Sequence, residues 1–163
     1  MISDCKKLVD ILTESIRDLV DVAVVGMSGG ADSTLVTILC MKALGKNNVY
    51  GISMPYNETD RRTFNTASEQ VAEKLGINHL VCPVNEIADA INRQVEVSSD
   101  CALTDINTGN SRSRARMCVL YGIAHNLSAR FSNKRVRVMG TGNLSEDFIG
   151  YDTKGGDALA DIF

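Results

Sequence analysis

The feature that most constrains this chain is a repeated pairing of a short β-branched run with a helical stretch. "VAVVG" (22–26) is apolar throughout, as strands buried on both faces of a parallel sheet are, and "ADSTLVTILCMKAL" (31–44) after it has helical periodicity. The pairing recurs. "NVYGISM" (48–54) reads as strand, "RRTFNTASEQVAEKL" (61–75) as helix ended by Gly76, "NHLVCPV" (78–84) as strand and "EIADAINRQV" (86–95) as helix. Three βα units in succession predict an open parallel sheet. A helix over 111–130, with Met117, Leu120, Tyr121, Ala124 and Leu127 on one stripe, leads to a fourth strand, "RVRVMG" (135–140). The expected architecture is a doubly wound α/β fold of four to five parallel strands, order 3-2-1-4, with helices on both faces.

Around this frame, the first twenty residues read as an amphipathic helix capped by Ser3, with Leu8, Ile11, Leu12, Ile16 and Leu19 at spacings of three and four. Residues 97–110 lack periodicity and read as a surface connection. Residues 141–163 are rich in Gly and Asp and read as a functional loop. The 163 residues suit one domain, 1–163.

With 17 Lys plus Arg against 20 Asp plus Glu, no overall field gathers nucleic acid or an anionic membrane, so any basic site is local. No apolar run approaches the ~20 residues that span a bilayer. The five cysteines are odd in number, without CxxC spacing or a secretory leader, which predicts a cytoplasmic protein with free thiols. His79 and His125 lie at helical spacing from neither a Cys nor each other, so structural roles are expected for both and a zinc site is not.

The chemistry concentrates in "GMSGGADS" (26–33). A strand running through SGG into a helix aims several N–H groups and the positive end of the helix dipole at one point, an anion site, with a plain capping turn as the alternative. The loop lacks a GK[ST] ending, which argues against an NTPase that moves the γ-phosphoryl group. Asp32 then poses a problem. Two like charges about 4 Å apart at an effective dielectric near 20 repel by roughly 4 kcal/mol. Capping returns only about 1 kcal/mol. A loop that holds an anion here needs a positive charge between that anion and Asp32.

"GMSGGADS" resembles the SGGxDS signature of the N-type ATP pyrophosphatases, which cleave ATP between its α and β phosphates, hold pyrophosphate in this loop and adenylate an acceptor. That resemblance implies magnesium at Asp32, a hard cation that bridges carboxylate and phosphate oxygens. A second carboxylate is expected, and the candidate is Glu146 in "GTGNLSE" (140–146), on the loop after the fourth strand. Loops after strands one and four are neighbours where the strand order reverses. A solvated loop residue is the other reading of Glu146.

The resemblance narrows further. "GTGNLSEDFIGYDTKGGDALADI" (140–162) is similar to the GTGN-x-SE…GY-x-TK-x-GD…AD-I run of ammonia-dependent NAD synthetases, and "MPY" (54–56) and "GNSRSRARM" (109–117) match further blocks of that family. This implies that ATP adenylates the nicotinate carboxylate of deamido-NAD and that ammonia then displaces AMP to give NAD. No glutaminase domain is visible, so free ammonia is the expected nitrogen source. The family is homodimeric. Its chains continue past the AD-I position with further helices and a basic stretch, whereas this sequence stops at Phe163, so a C-terminally short form is implied.

Residue by residue, the resemblance implies ATP or pyrophosphate contacts at Gly26, Ser28, Gly29, Gly30, Ser33 and Thr141, with Asp32 and Glu146 on magnesium. Met54 would lie under the adenine edge, or be a core methionine. Arg112 and Arg116 share a helix face and Arg114 points nearly opposite. Arg114 matches the motif arginine and is assigned a phosphate contact, whereas Arg112 can equally be part of a solvated face. Asn110, Arg114, Lys154 and Asp161 are assigned to deamido-NAD, Lys154 also neutralising charge at the transferring phosphate. Asp157 is assigned an ammonium-binding or deprotonating role. Asp32, Glu146, Lys154 and Asp157 form the catalytic set. The rivals are another N-type ATP pyrophosphatase, GMP-synthetase-like or tRNA-thiolating, and a non-catalytic ATP-binding module.

Overall fold

The computed structural model describes residues 4–60, 62 and 66–163. In chain order these form α1 (Cys5–Leu19), β1 (Val22–Gly26), α2 (Ala31–Leu44), a 3-10 turn (Lys46–Asn48), β2 (Val49–Ser53), α3 (Glu58–Asp60), α4 (Thr66–Leu75), β3 (Asn78–Val81), α5 (Asn85–Ser99), α6 (Asp105–Arg130), β4 (Val136–Met139) and α7 (Leu144–Ile149). The sheet is parallel with order β3-β2-β1-β4, as the alternation predicts.

Strand periodicity sorts the core into two layers. Val22 and Val24 of β1 face one side with Ile52, Val138 and the α6 residues Ala115, Leu120, Ala124 and Leu127. Ala23 and Val25 face the other side with Ile16 and Val20, Cys40 and Ala43 of α2, and Ala72 of α4. Helices therefore cover both faces, and β1 is buried along its length because it is central. Burial pushes the Cys40 thiol up to about 12, which makes it an inert core residue.

Several expected boundaries are corrected. α1 is capped by Asp4, whose carboxylate accepts the Lys7 N–H at 3.0 Å; Ser3 lies outside the described residues. Residues 61 and 63–65 of the helix expected over 61–75 also lie outside them. β3 ends at Val81 and not 84. The surface connection expected over 97–110 is mostly helix: α5 runs to Ser99, and α6 begins at Asp105, capped by the Thr104 hydroxyl, which accepts the Asn107 N–H at 3.2 Å. That cap lets "DINTGN" extend the helix without an apolar stripe of its own. The tail is not wholly loop, since it contains α7, and Met139 bridges to Ile162 in parallel, the start of a fifth strand position.

Asp21 and Arg135 join the α1–β1 turn to the start of β4 by paired hydrogen bonds of 3.0 Å, and the Arg135 side chain holds the Asp21 carboxyl at about 2. On the other edge, Ser53 of β2 lies 2.7 Å from Ser68 of α4 and 2.8 Å from His79 Nε2 of β3. Burial pulls the His79 imidazole below its ordinary range, against a smaller upward pull from Glu69. A folded-state pKa below the unfolded value means the unfolded chain takes up the proton first. The stabilisation is then complete above about 6.5 and is lost as pH falls below it. Melting temperature is expected to fall between pH 7.5 and 5.5, and the fall to shrink in His79→Gln; equal slopes in the two proteins would refute this.

Candidate active site

Three of the four strands deliver their carboxyl ends to one cavity of about 480 Å³, at the switch point between β1 and β4. Its walls come from the loops after β1 and β4, the end of β2, α6 and the tail.

The β1 loop is built around glycine. Gly29 adopts φ 82°, a left-handed turn that a side chain would strain, and Gly30 follows in extended conformation as the N-cap of α2. The loop ties itself down. The Gly30 N–H donates to Ser28 Oγ at 3.2 Å, the Ser28 N–H to Ser33 Oγ at 3.3 Å, and Met27 N–H to the Ile52 carbonyl at 2.8 Å. Among the described residues no side chain caps α2, so the N–H groups of its first turn and the dipole's positive end remain for an anion.

Asp32 and Glu146 both line the cavity, as the sheet order requires of loops one and four. Asn143 connects them. Its side-chain amide donates to Asp32 Oδ2 at 3.4 Å and its backbone N–H to Glu146 Oε2 at 3.2 Å, while its Oδ1 accepts from the Ser145 and Glu146 N–H groups. One residue thus caps α7 and reaches a carboxylate 111 positions earlier in the sequence. Among the described residues no cluster of three or more His, Cys, Asp or Glu is placed to hold a metal ion.

Of the other sequence-assigned residues, Gly26, Ser28, Gly30, Ser33, Met54, Thr141 and Asp157 line the cavity. Met54 also belongs to the core layer, so both readings of it describe the same side chain. Gly29, Asn110, Arg114, Lys154 and Asp161 are not among the lining residues. Three of these hold the tail: Asn110 Oδ1 accepts from Thr153 Oγ1 at 2.9 Å, Arg114 Nε donates to the Lys154 carbonyl at 3.2 Å, and Asp161 accepts from Tyr121 Oη at 3.2 Å and the Val138 N–H at 2.8 Å. Lys154 is exposed.

The arginine that reaches the cavity is Arg116. Its Nε donates to the Met54 carbonyl at 3.0 Å and its head lies 3.8 Å from Asp60; burial lowers its pKa, opposed by Asp60. Arg112 is no solvated charge: its guanidinium stacks 3.7 Å over the Tyr56 ring, and Tyr56 Oη donates to Asp89 at 2.7 Å. Residues missed in the sequence are Arg116, Asn143 and Ser113. A signal for two of them existed. Ser113, Arg116, Met117 and Leu120 are at i, i+3, i+4 and i+7, the stripe of α6 carried one turn back towards its N-terminus.

Comparison with known proteins fits this geometry. Residues 4–163 match a family model described as NAD synthase. The NH3-dependent NAD+ synthetase of Methanocaldococcus jannaschii is 38% identical over 163 residues, covering 96% of this chain and 59% of that one. Among solved structures, the NH3-dependent NAD synthetase of Campylobacter jejuni, in complex with nitrate, superposes with a TM-score of 0.75 at 30% identity, covering 96% of this chain and 63% of that chain. An NMN synthetase from Francisella tularensis gives 0.73 at 28% identity, covering 96% and 60%. The chain therefore spans about three fifths of the length of these relatives.

Proposed function

The chain belongs to the NAD synthase family, and on that premise we propose that it carries out ammonia-dependent NAD synthesis, or the ATP-dependent half of it. In the first step a nicotinate carboxylate oxygen of deamido-NAD bonds to the α-phosphorus of ATP as the bond to pyrophosphate breaks. In the second, ammonia bonds to the acyl carbon, AMP leaves with the bonding pair, and the nitrogen gives up a proton. The observation that carries this reading is the glycine loop at the mouth of α2 facing two linked carboxylates inside one cavity.

Each part has a task. Ser28, Gly29, Gly30 and Ser33 hold pyrophosphate through N–H and hydroxyl groups, with Gly26 and Thr141 beside them and Met54 under the adenine. Asp32 and Glu146 fit magnesium, which uses one or two carboxylates and fills its other positions with phosphate oxygens and water. Held by these two carboxylates, the ion would supply positive charge to offset the repulsion between Asp32 and bound phosphates. Asn143 fixes the spacing of the two carboxylates. Arg116, anchored by Met54 and Asp60, brings a guanidinium to the cavity wall, while Arg114, Asn110 and Asp161 act on the dinucleotide through the tail they hold. Lys154 supplies a mobile positive charge from that tail and Asp157 faces the incoming nitrogen. Placement of reactants alone can account for roughly 7 to 11 kcal/mol of barrier, so no side-chain nucleophile is needed. The family resemblance adds a homodimer, and free thiols at Cys5, Cys101 and Cys118 suit the cytoplasm.

The test is chromatographic detection of NAD and AMP from protein with ATP, magnesium, deamido-NAD and ammonium. Equal amounts of both products support the reading. An ATP-dependent melting shift without AMP would replace it with a nucleotide-binding module. Because an NMN synthetase shares the fold, nicotinic acid mononucleotide is run in parallel, and a preference for it would change the acceptor. Asn143→Ala is expected to cost about 1 kcal/mol through the lost α7 cap. Since it also frees both carboxylates, magnesium-dependent ATP binding should weaken about tenfold, roughly 1.4 kcal/mol, in a calorimetric titration.

A further inference from the structure

The tail meets α6 at an unusually close contact. A Cβ on Gly156 would lie 2.3 Å from Ser113 Oγ and 3.0 Å from the Cβ atoms of Ser113 and Thr153, so only glycine allows the turn to approach this far. Ser113 and Asp157 then bond reciprocally. The Ser113 hydroxyl donates to Asp157 Oδ1 at 2.8 Å, and the Asp157 N–H donates to Ser113 Oγ at 3.0 Å. A hydroxyl has one proton, and here it is committed, which fixes the rotor. Oδ1 accepts a second bond from the Thr153 N–H at 2.8 Å. Among the described residues Oδ2 makes no hydrogen bond, while the carboxylate as a whole acts on the Arg116 guanidinium and raises its pKa; Ser113, Arg116 and Asp157 all line the cavity. Bonds from Thr153 Oγ1 to Asn110 and from Arg114 to the Lys154 carbonyl hold the same turn to the same helix.

We propose that Ser113 is a positioning residue: it locks the 153–157 turn to α6 and orients Asp157 so that Oδ1 is spent internally and Oδ2 is presented to the cavity. Resting on the function proposed above, this makes Ser113 act through Asp157 chiefly on the amidation step, with a smaller effect on adenylation because the same turn carries Lys154.

The experiment compares wild type with Ser113→Ala in two readouts. Amide hydrogen exchange at Asp157 is expected to speed up at least tenfold, with α6 unchanged. In single turnovers, conversion of the adenylate to NAD slows ten- to a hundredfold, and pyrophosphate release slows by at least fivefold less than that. Gly156→Ala, which pushes the turn off Ser113 from the other side, should reproduce both effects. Unchanged exchange at Asp157 would overturn the proposal, and so would faster exchange with amidation at the wild-type rate. If wild type releases no pyrophosphate, the proposed function fails on its own account. The exchange readout alone then decides whether Ser113 orients Asp157.

Discussion

Asp32→Asn is expected to cut pyrophosphate release by at least ~10³-fold, about 4 kcal/mol of barrier, while the protein melts within a few degrees of wild type. The two halves of this result have different physical origins. Asp32 is exposed in the first turn of α2, and the hydrogen bond its carboxylate accepts from Asn143 at 3.4 Å can be remade by an amide oxygen. Losing a carboxylate beside the helix dipole costs about 0.3–1 kcal/mol, which a domain of this size tolerates. Catalysis has no such margin. On the proposed function, Asp32 supplies an anionic oxygen that would hold the cation, and the substitution replaces it with a neutral one. The roughly 4 kcal/mol of repulsion that such a cation would offset sets the size of the expected effect. Rates are measured by pyrophosphate release with deamido-NAD present, and stability by thermal melting. A variant that keeps a tenth of the rate would remove Asp32 from the catalytic set.

The layering of the fold was legible because it is written in period two and period 3.6. Val22 and Val24 against Ala23 and Val25 already sort β1 between two core layers, and the reversal of strand order follows from connection rules. The site was legible where the backbone makes it: the glycine loop and the Asp32–Glu146 pairing both follow from sheet topology. What escaped depends on side-chain direction. Arg114 and Arg116 differ by two positions, about 200° around a helix, and only packing of Leu120 and Met117 against the sheet decides which faces the cavity. The start of α6 escaped because "DINTGN" holds one apolar residue, Ile106, and that one is 76% exposed. Capping by Thr104, and not a stripe, sets that boundary. The cap that Asn143 makes on α7 is a local pattern, NLSE, but its reach to Asp32 joins two distant segments and no local pattern encodes it.

Ile52→Ala should have the largest effect on stability, a loss of about 2–5 kcal/mol, from a total that for domains of this kind is roughly 5–15 kcal/mol. Ile52 lies in β2, between Gly26 of β1 and Leu80 of β3 in register, and is fully buried in the layer formed by the strands and α6. Truncation leaves a cavity walled by sheet backbone on one side, which cannot collapse, so the upper part of the range is expected. Its carbonyl accepts the Met27 N–H at 2.8 Å at the root of the glycine loop. That bond uses backbone atoms and survives the substitution, so nucleotide affinity of the folded fraction should change less than threefold even as the denaturation midpoint falls. Leu35→Ala, in α2 but 55% exposed, is the control and should stay within about 0.5 kcal/mol. Urea unfolding with an unchanged slope separates the two. A loss below 1 kcal/mol at Ile52 would mean that this layer is loosely packed, and the cavity it supports could not hold its loops to the tolerance that the proposed two-step chemistry requires.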